Sequence, residues 1–131
     1  VDLPGDNLDE TMSIALADMD GDRLIDIVIG NGYDEDQPNY LLINRGNNTF
    51  MSEELPGGNT RTFSIAVGSL HDNQRVDIIV GSFDSTNYIL HGNSGAGYKV
   101  KDLPGGSLLT TAMALGDMNG DGNLDIIISN G

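Results

Sequence analysis

Two short acidic loops contain the side chains best suited to chemistry. The first runs from Asp18 to Asp26 with the sequence DMDGDRLID, and the second runs from Asp117 to Asp125 with the sequence DMNGDGNLD. Oxygen-bearing side chains stand at loop positions 1, 3, 5 and 9, and position 7 offers its main-chain carbonyl. Ca²⁺ takes about six to eight oxygen ligands at roughly 2.3–2.6 Å. The spacing therefore predicts two calcium sites, with the ligands Asp18, Asp20, Asp22, Leu24 and Asp26 in the first and Asp117, Asn119, Asp121, Asn123 and Asp125 in the second.

Each loop begins like an EF-hand but does not continue as one. An EF-hand closes its site with a bidentate Glu at about position 12, whereas Ile29 and Ile128 hold that position here, inside apolar strands. The position 9 carboxylates, Asp26 and Asp125, must close the site instead. Mg²⁺ fits less well because it demands octahedral geometry and retains its waters. The alternative is that both loops are solvated acidic turns that hold no metal.

The loop at residues 69–77, hereafter the middle loop, occupies the same place in its repeat but has lost most of its acids. Positions 1, 3 and 5 are Ser69, His71 and Asn73, and Arg75 adds a positive charge. Only Asp77, at position 9, remains acidic at a ligand position. We expect this loop to bind no metal and His71 to be a surface turn residue.

These loops belong to a sequence that repeats itself. Leu-Pro-Gly occurs at residues 3–5, 55–57 and 103–105, at offsets of 52 and 48 residues. An Asp followed by three Ile or Val residues recurs in the same order, at 26–29, 77–80 and 125–128. We expect a single domain over residues 1–131, with repeats at approximately 3–54, 55–102 and 103–131.

Each complete repeat holds four short β-type segments between Gly, Asn and Asp turns. They lie near 13–18, 25–30, 39–44 and 49–54 in the first repeat, and near 64–69, 76–81, 87–91 and 97–102 in the second. Four strands repeated at this interval are typical of an all-β propeller with blades of four antiparallel strands. The third repeat reaches Gly131 after its second strand, so we expect about two and a half blades, an incomplete propeller or a repeat unit. A β-sandwich is the alternative.

Composition excludes several classes of protein. The chain has 131 residues, with 20 Asp and Glu against 6 Lys and Arg and a net charge of −14. No basic stripe exists to replace phosphate counterions, so nucleic acid is not an expected partner. No apolar segment approaches the roughly 20 residues of a membrane helix, so membrane insertion is not expected. The absence of Cys rules out disulfides and thiolate chemistry.

The acidic motif and the strand after it resemble a known family. Asp-x-Asp-Gly-Asp-x-x-x-Asp followed by an Ile/Val strand, repeated along the chain, is similar to the FG-GAP and VCBS repeats of integrin α-subunits and of many secreted proteins. The Phe-Gly and Gly-Ala-Pro marks are missing, so the VCBS-like branch fits better. The resemblance implies a propeller with Ca²⁺ in the loop between the first two strands of a blade, and an extracellular or cell-surface location.

Three functions follow as hypotheses. The first is a calcium-stabilised structural or adhesion module that binds other proteins or further copies of itself, in a ring or an open filament. The alternative is a carbohydrate-binding, lectin-like propeller, although Trp is absent and Tyr40 and Tyr88 stand where packing is expected. An enzyme is not expected, because no catalytic constellation stands apart from the metal loops. A sequon at Asn47 predicts a glycosylation acceptor.

Overall fold

The fold is built from β-strands. The computed structural model describes residues 10–70, 75–93 and 97–131. The predictions that rest on Val1–Gly5, His71 and Asn73 lie outside these residues. Within them the strands are β1 Thr11–Ala17, β2 Asp26–Asn31, β3 Tyr40–Asn44, β4 Phe50–Glu54, β5 Thr62–Gly68, β6 Asp77–Asn93, β7 Gly97–Gly116 and β8 Asp125–Asn130.

The first four strands form one antiparallel sheet in the order β1-β2-β3-β4. Their bounds agree within two residues with the four segments predicted for the first repeat. Val28 pairs with Ala15 on one side and with Leu41 on the other, so the apolar positions of neighbouring strands come into line. This sheet, hereafter the first blade, confirms the prediction of four antiparallel strands per blade.

The second sheet differs from the prediction because two strands are longer than expected. β6 covers both segments predicted at 76–81 and 87–91. The Asp77 carboxylate nevertheless accepts a hydrogen bond of 3.0 Å from the N–H of Gly92, and a straight strand of that length would span about 50 Å. β6 therefore folds back on itself, near Asp84, whose φ is 61°. The two predicted segments are thus one continuous stretch of extended backbone, and the sequence marks the turn between them only weakly.

β7 is long for a different reason, since it belongs to two units. Residues 97–109 of β7 pair with β6, and residues 110–116 pair with β8. We call β5, β6 and residues 97–109 of β7 the second blade, and residues 110–131 the third unit. The fold is thus all-β, with two blades and the opening strands of a third, which confirms the predicted fold class and not the sandwich. No described residue lies in a helix that could cross a bilayer.

The hydrophobic core lies between the units. One buried cluster joins the first blade to the second, and another joins the second blade to Met113, Leu115 and Ile126 of the third unit. Successive residues of a strand point to opposite faces of the sheet. Alternate side chains of an inner strand therefore pack in one cluster or in the other. The first cluster contains Met19, Val28, Leu41, Ile43, Leu55, Ile65, Ile78, Val80, Tyr88 and Leu90.

A serine hydroxyl marks each of these two interfaces. Ser13 Oγ in the first blade accepts the N–H of Ile65 in the second at 2.9 Å. Ser64 Oγ in the second blade accepts the N–H of Met113 in the third unit, also at 2.9 Å. The two hydrogen bonds occupy equivalent places, so the units are joined twice by the same polar contact.

A glycine lies directly opposite each serine, on the neighbouring strand. Gly30 pairs with Ser13, and Gly81 pairs with Ser64. A Cβ on Gly30 would lie 2.6 Å from Cγ2 of Thr62, and one on Gly81 would lie 2.8 Å from a methyl group in the third unit. Both positions therefore require glycine for the next unit to approach this closely.

Candidate metal centre

The first acidic loop joins β1 to β2 and brings three carboxylates together. Asp18, Asp20 and Asp22 each offer an oxygen, and these atoms all lie within 4.8 Å of one another. Asp18 is half-buried, and the other two residues are exposed. Three negative charges this close repel one another unless a cation lies between them. Their hard oxygen donors fit Ca²⁺.

Main-chain hydrogen bonds hold the carboxylates in this arrangement. Asp18 accepts the N–H of Gly21 at 2.7 Å and that of Arg23 at 2.8 Å. Asp22 accepts the N–H of Leu24 at 2.8 Å. Gly21 and Arg23 have φ values of 84° and 73°, and this left-handed backbone curls the loop around its own side chains. The carboxylates are therefore positioned by the loop backbone, and the Leu24 carbonyl as a ligand remains a prediction.

Asp26, the predicted ligand at position 9, is placed differently. It is fully buried and is not part of the group of three. Its Oδ2 accepts the N–H of Met19 at 2.7 Å, and its Oδ1 accepts the N–H of Asn44 at 2.8 Å. Asp26 thus ties the start of the loop to the end of β3. This role was not predicted from the sequence.

The bond to the start of the loop recurs in the other two loops, and the second bond recurs at Asp77. Asp77 is fully buried and accepts the N–H groups of Leu70 and Gly92, both at 3.0 Å. Asp125 accepts the N–H of Met118 at 2.9 Å. The middle loop keeps this aspartate although Ser69 has replaced the acid at position 1. That persistence was the signal in the sequence for a structural role.

A cationic side chain lies beside the first loop. Arg45 Nη1 is 3.3 Å from Asp20 Oδ2, and both side chains are partly exposed. The guanidinium neutralises part of the charge of the carboxylate group, so it would compete with a metal ion for Asp20. Sequence analysis did not identify Arg45, because it lies 25 residues away in the chain.

The predicted site in the third unit lies in the loop at residues 117–125, hereafter the third loop, which has the same shape as the first loop but a different donor set. Asp117 accepts the N–H groups of Gly120 at 2.7 Å and Gly122 at 2.8 Å. The bond from Gly122 is the main cause that lowers the pKa of Asp117 below its ordinary value, and the other loop N–H groups act in the same direction. The Asn119 amide donates to Asp121 Oδ2 at 3.1 Å, so this loop has an amide where the first loop has a third carboxylate.

Asp121 is also held as a carboxylate. The backbone N–H of Asn123 donates to it at 2.8 Å, and this bond is the main cause of the lowered pKa of Asp121, followed by the Asn119 side chain. The loop thus favours the charged forms of Asp117 and Asp121, and the binding of a metal ion by Asp117, Asn119 and Asp121 remains a prediction. The participation of Asn123 and Asp125 as ligands remains a prediction.

The first and third loops differ in the surroundings of the residue at position 2. Met19 is 4% exposed and belongs to the core between the first and second blades, whereas its counterpart Met118 is 75% exposed. The first loop is thus connected to the core through a side chain, and the third loop is not connected in this way.

A cavity lies beside the first loop, between the two blades. Its volume is about 150 Å³, and Tyr98 of β7 contributes an aromatic wall. Burial raises the pKa of Tyr98 to about 12. Tyr88, by contrast, is buried in the core, as expected for a packing residue. The cavity is also lined by Met19, Asp20, Leu41, Ile43, Arg45, Glu53, Arg75 and Gly97.

The sequon residue Asn47 is exposed in the turn between β3 and β4. Its φ of 51° places it in the left-handed region, which Asn tolerates well. The side chain is accessible, and its modification remains a prediction.

Comparison with known proteins agrees with this description. The profile of the FG-GAP-like repeat matches residues 18–80 and again residues 70–128. Each match begins in the loop between the first two strands of one repeat and ends in the Ile/Val strand of the next. No curated protein matches the chain. Because the two matches together cover most of the described β-structure, the chain belongs to the FG-GAP-like repeat family.

Proposed function

We propose that the protein is a calcium-stabilised structural or adhesion module that binds protein partners outside the cell or at the cell surface. FG-GAP repeats generally serve protein–protein and adhesion-type interactions, which supports the interaction part of the proposal. The observation that supports calcium is the group of three carboxylate oxygens within 4.8 Å of one another.

The first site would be formed by the carboxylates of Asp18, Asp20 and Asp22, with the Leu24 carbonyl and Asp26 as the further ligands expected from the sequence. The second would use Asp117, Asn119, Asp121, Asn123 and Asp125. In both, the ion would balance negative charge and fix the connection between the first two strands. We therefore propose two Ca²⁺ ions per chain.

The energetic effect of the first ion follows from binding linkage. An ion that binds only the folded state stabilises it by RT ln(1 + [L]/Kd). With Kd values of about 10⁻⁴–10⁻³ M and millimolar calcium, as in extracellular modules, this amounts to roughly 0.4–1.4 kcal/mol. The ion is thus a modest stabiliser of a fold that the blades already form.

The proposal does not include catalysis. The repeats of this family are structural and binding modules, and we infer the same for this chain. The buried carboxylates Asp26 and Asp77 are engaged by main-chain N–H groups. A metal ion surrounded by structural ligands also lacks the open position that a reaction needs.

Calorimetric titration of the calcium-free chain tests the proposal. We expect a stoichiometry near two for Ca²⁺ and weaker binding of Mg²⁺. A Ser69→Ala variant is the matched control, because Ser69 holds position 1 in the loop that we expect to bind no metal. No binding, or saturation by Mg²⁺ alone, would contradict the calcium site.

The cavity with Tyr98 favours carbohydrate binding as a second candidate. Its volume of about 150 Å³ suits a single sugar ring, and it combines an aromatic wall with the charged side chains of Arg45 and Glu53. Saturation-transfer NMR with a panel of monosaccharides tests this candidate. Signals that persist in an Arg45→Ala variant would count against binding in the cavity.

A further inference from the structure

Asparagine precedes glycine at three places in the sequence, at residues 31–32, 119–120 and 130–131. An Asn-Gly pair loses its side-chain amide without an enzyme when the main-chain nitrogen of the glycine attacks the amide carbon. Glycine favours this attack because it has no side chain to hinder its own nitrogen. In a folded protein the rate depends on access to water and on the groups held beside the reacting atoms. The pairs at 31–32 and 119–120 differ in both respects.

The pair in the third loop is open to water. Asn119 and Gly120 are both exposed. A Cβ built on Gly120 would have no atom within 4 Å, so the space beside the attacking nitrogen is empty of protein. Water therefore reaches the side-chain amide and the peptide bond that follows it.

Three hydrogen bonds hold polar groups at the reacting atoms of this pair. The Gly120 N–H donates to Asp117 Oδ1 at 2.7 Å, which places a carboxylate where the proton of the attacking nitrogen must go. The Asp121 N–H donates to Asn119 Oδ1 at 3.0 Å, the atom on which negative charge develops during the attack. Asn119 Nδ2, the nitrogen that leaves, donates to Asp121 Oδ2 at 3.1 Å. The nucleophile, the carbonyl oxygen and the leaving group are thus all held by the loop.

The pair that follows β2 has opposite surroundings. Asn31 is only 1% exposed. The Gly32 N–H donates to the main-chain carbonyl of Glu10 at 2.9 Å, and a peptide carbonyl is a much weaker base than a carboxylate. A Cβ on Gly32 would lie 2.7 Å from the carbonyl oxygen of Glu35, so main chain fills the space that is open beside Gly120. The same dipeptide is therefore protected in the first blade.

We propose that Asn119 is a site of spontaneous deamidation. The Gly120 nitrogen gives up its proton toward Asp117 and forms a bond to Asn119 Cγ. The Cγ–Nδ2 bond breaks, and the leaving nitrogen takes up one proton and departs as ammonia, which leaves a succinimide ring. Water then opens the ring: attack at Cγ gives aspartate, and attack at the main-chain carbonyl carbon gives isoaspartate. The reaction needs water and no other reactant.

The two products change the third loop in different ways. Aspartate at residue 119 would give this loop carboxylates at positions 1, 3 and 5, the set that the first loop already has. Isoaspartate would add one carbon atom to the main chain and would displace the N–H groups of Gly120 and Gly122 from Asp117. Deamidation itself takes place without calcium, so the inference goes beyond the proposed function and does not rest on it.

Peptide mapping by mass spectrometry, on chain incubated in chelator at neutral pH, tests the proposal. In the folded chain Asn119 should convert to a mixture of aspartate and isoaspartate, the second of which is detected with protein isoaspartate methyltransferase. Asn31 is the matched internal control and should react at least about a hundredfold more slowly, because it reacts only when β2 opens. In urea the two residues should react at similar rates, since both precede glycine.

Two outcomes would overturn the proposal. One is conversion of Asn31 as fast as that of Asn119 in the folded chain, since the surroundings described above would then have no effect. The other is a folded chain in which Asn119 stays intact for the time that it takes to convert in urea. All these measurements are made in chelator, so failure here leaves the calcium proposal unaffected.

An Asp117→Asn variant tests the part played by the carboxylate. The new amide keeps an oxygen that accepts the loop N–H groups but is not a base, so Asn119 should convert roughly tenfold more slowly. Hydrogen exchange at the Gly122 N–H, which lies 2.8 Å from Asp117 Oδ2, should be unchanged and shows that the loop keeps its shape. Conversion at the wild-type rate would show that Asp117 does not accept the proton. The comparison with Asn31 decides the site itself even if this variant disturbs the loop.

Discussion

The first acidic loop and the middle loop hold the same place in successive repeats but differ in their acids. Both keep a fully buried aspartate at position 9, and both use it to hold two main-chain N–H groups. Among the residues that the structure describes, three carboxylates come together in the first loop alone, whereas Ser69 begins the middle loop. The comparison separates two roles within one motif: position 9 holds the loop to the sheet, and positions 1, 3 and 5 supply the oxygens of the proposed cation site.

The largest expected effect tests the structural half of this comparison. Asp77→Ala removes the acceptor of two buried N–H groups, and hydrogen bonds to a charged group are worth about 1.5–3 kcal/mol each. We expect a loss of roughly 3–6 kcal/mol in the free energy of unfolding, measured by urea denaturation. The loss should be the same with calcium and with chelator.

Asp26→Ala is the matched variant in the first loop. In chelator it should be destabilised somewhat less than Asp77→Ala, because both carboxylates accept two main-chain N–H groups but Asp77 Oδ1 also lies 3.4 Å from His91 Nδ1. If both variants unfolded at the wild-type urea concentration, position 9 would have no structural role and the comparison would fail.

The next largest effect tests the other half of the comparison, the proposed binding of a cation by positions 1, 3 and 5. Asp18→Ala should remove the calcium-dependent stabilisation of the first site, roughly 0.4–1.4 kcal/mol in millimolar calcium. The difference in Tm between calcium and chelator should shrink by a few degrees, as followed by differential scanning calorimetry. Ser69→Ala should leave that difference unchanged. Equal responses of the two variants would show that the acids of the first loop bind no ion.

Arg45 gives a smaller effect in the opposite direction. Its guanidinium lies 3.3 Å from Asp20, and partly exposed ion pairs contribute only about 0.2–1 kcal/mol. Arg45→Gln should therefore tighten calcium binding by a factor of roughly 1.5–5, measured by isothermal calorimetry. Lys101→Gln, an exposed site in β7, makes the same change in net charge and is the control. A matching gain in the control would assign the effect to overall charge.

The smallest effect concerns pH in the third loop. The pKa values of Asp117 and Asp121 are lowered, chiefly by the N–H groups of Gly122 and Asn123. A lowered pKa in the folded state means that the stabilisation is present above the ordinary aspartate pKa and is lost as pH falls through the lowered value. Carboxyl carbon NMR without calcium should show both residues titrating below an aspartate in a reference peptide. Titration at the peptide value would mean that the loop bonds are not formed.

Much of the fold could be predicted because its signals are local. Apolar segments between turn residues located the strands of the first blade within two residues, and the interval of the repeat predicted four-stranded blades. The extent of β6 and β7 could not be predicted in this way, because the sequence marks the turn near Asp84 only weakly and the extended backbone continues through it.

The candidate metal centre could likewise be predicted from the sequence only where its signals are local. The gathering of Asp18, Asp20 and Asp22 follows from their spacing on one tight loop. The bond from Asn44 to Asp26, 18 residues away, depends on how β3 lies against the loop. The cavity wall formed by Tyr98 depends on the docking of two blades. Neither this bond nor the cavity wall can be predicted from the sequence pattern of a single segment.

The burial of Met19 has a consequence for how the molecule opens. Proteins unfold in cooperative units, and a segment tied into a core opens only together with that core. Met19 places the first loop in the same unit as both blades, so an ion bound there would raise the opening free energy of amides on β2 and β5 alike. The third loop lacks this tie, since Met118 lies in solvent. Its flanking strands reach the second blade through Leu115 and Ile126, so calcium there would slow amide exchange in the third unit and at its contact with the second blade.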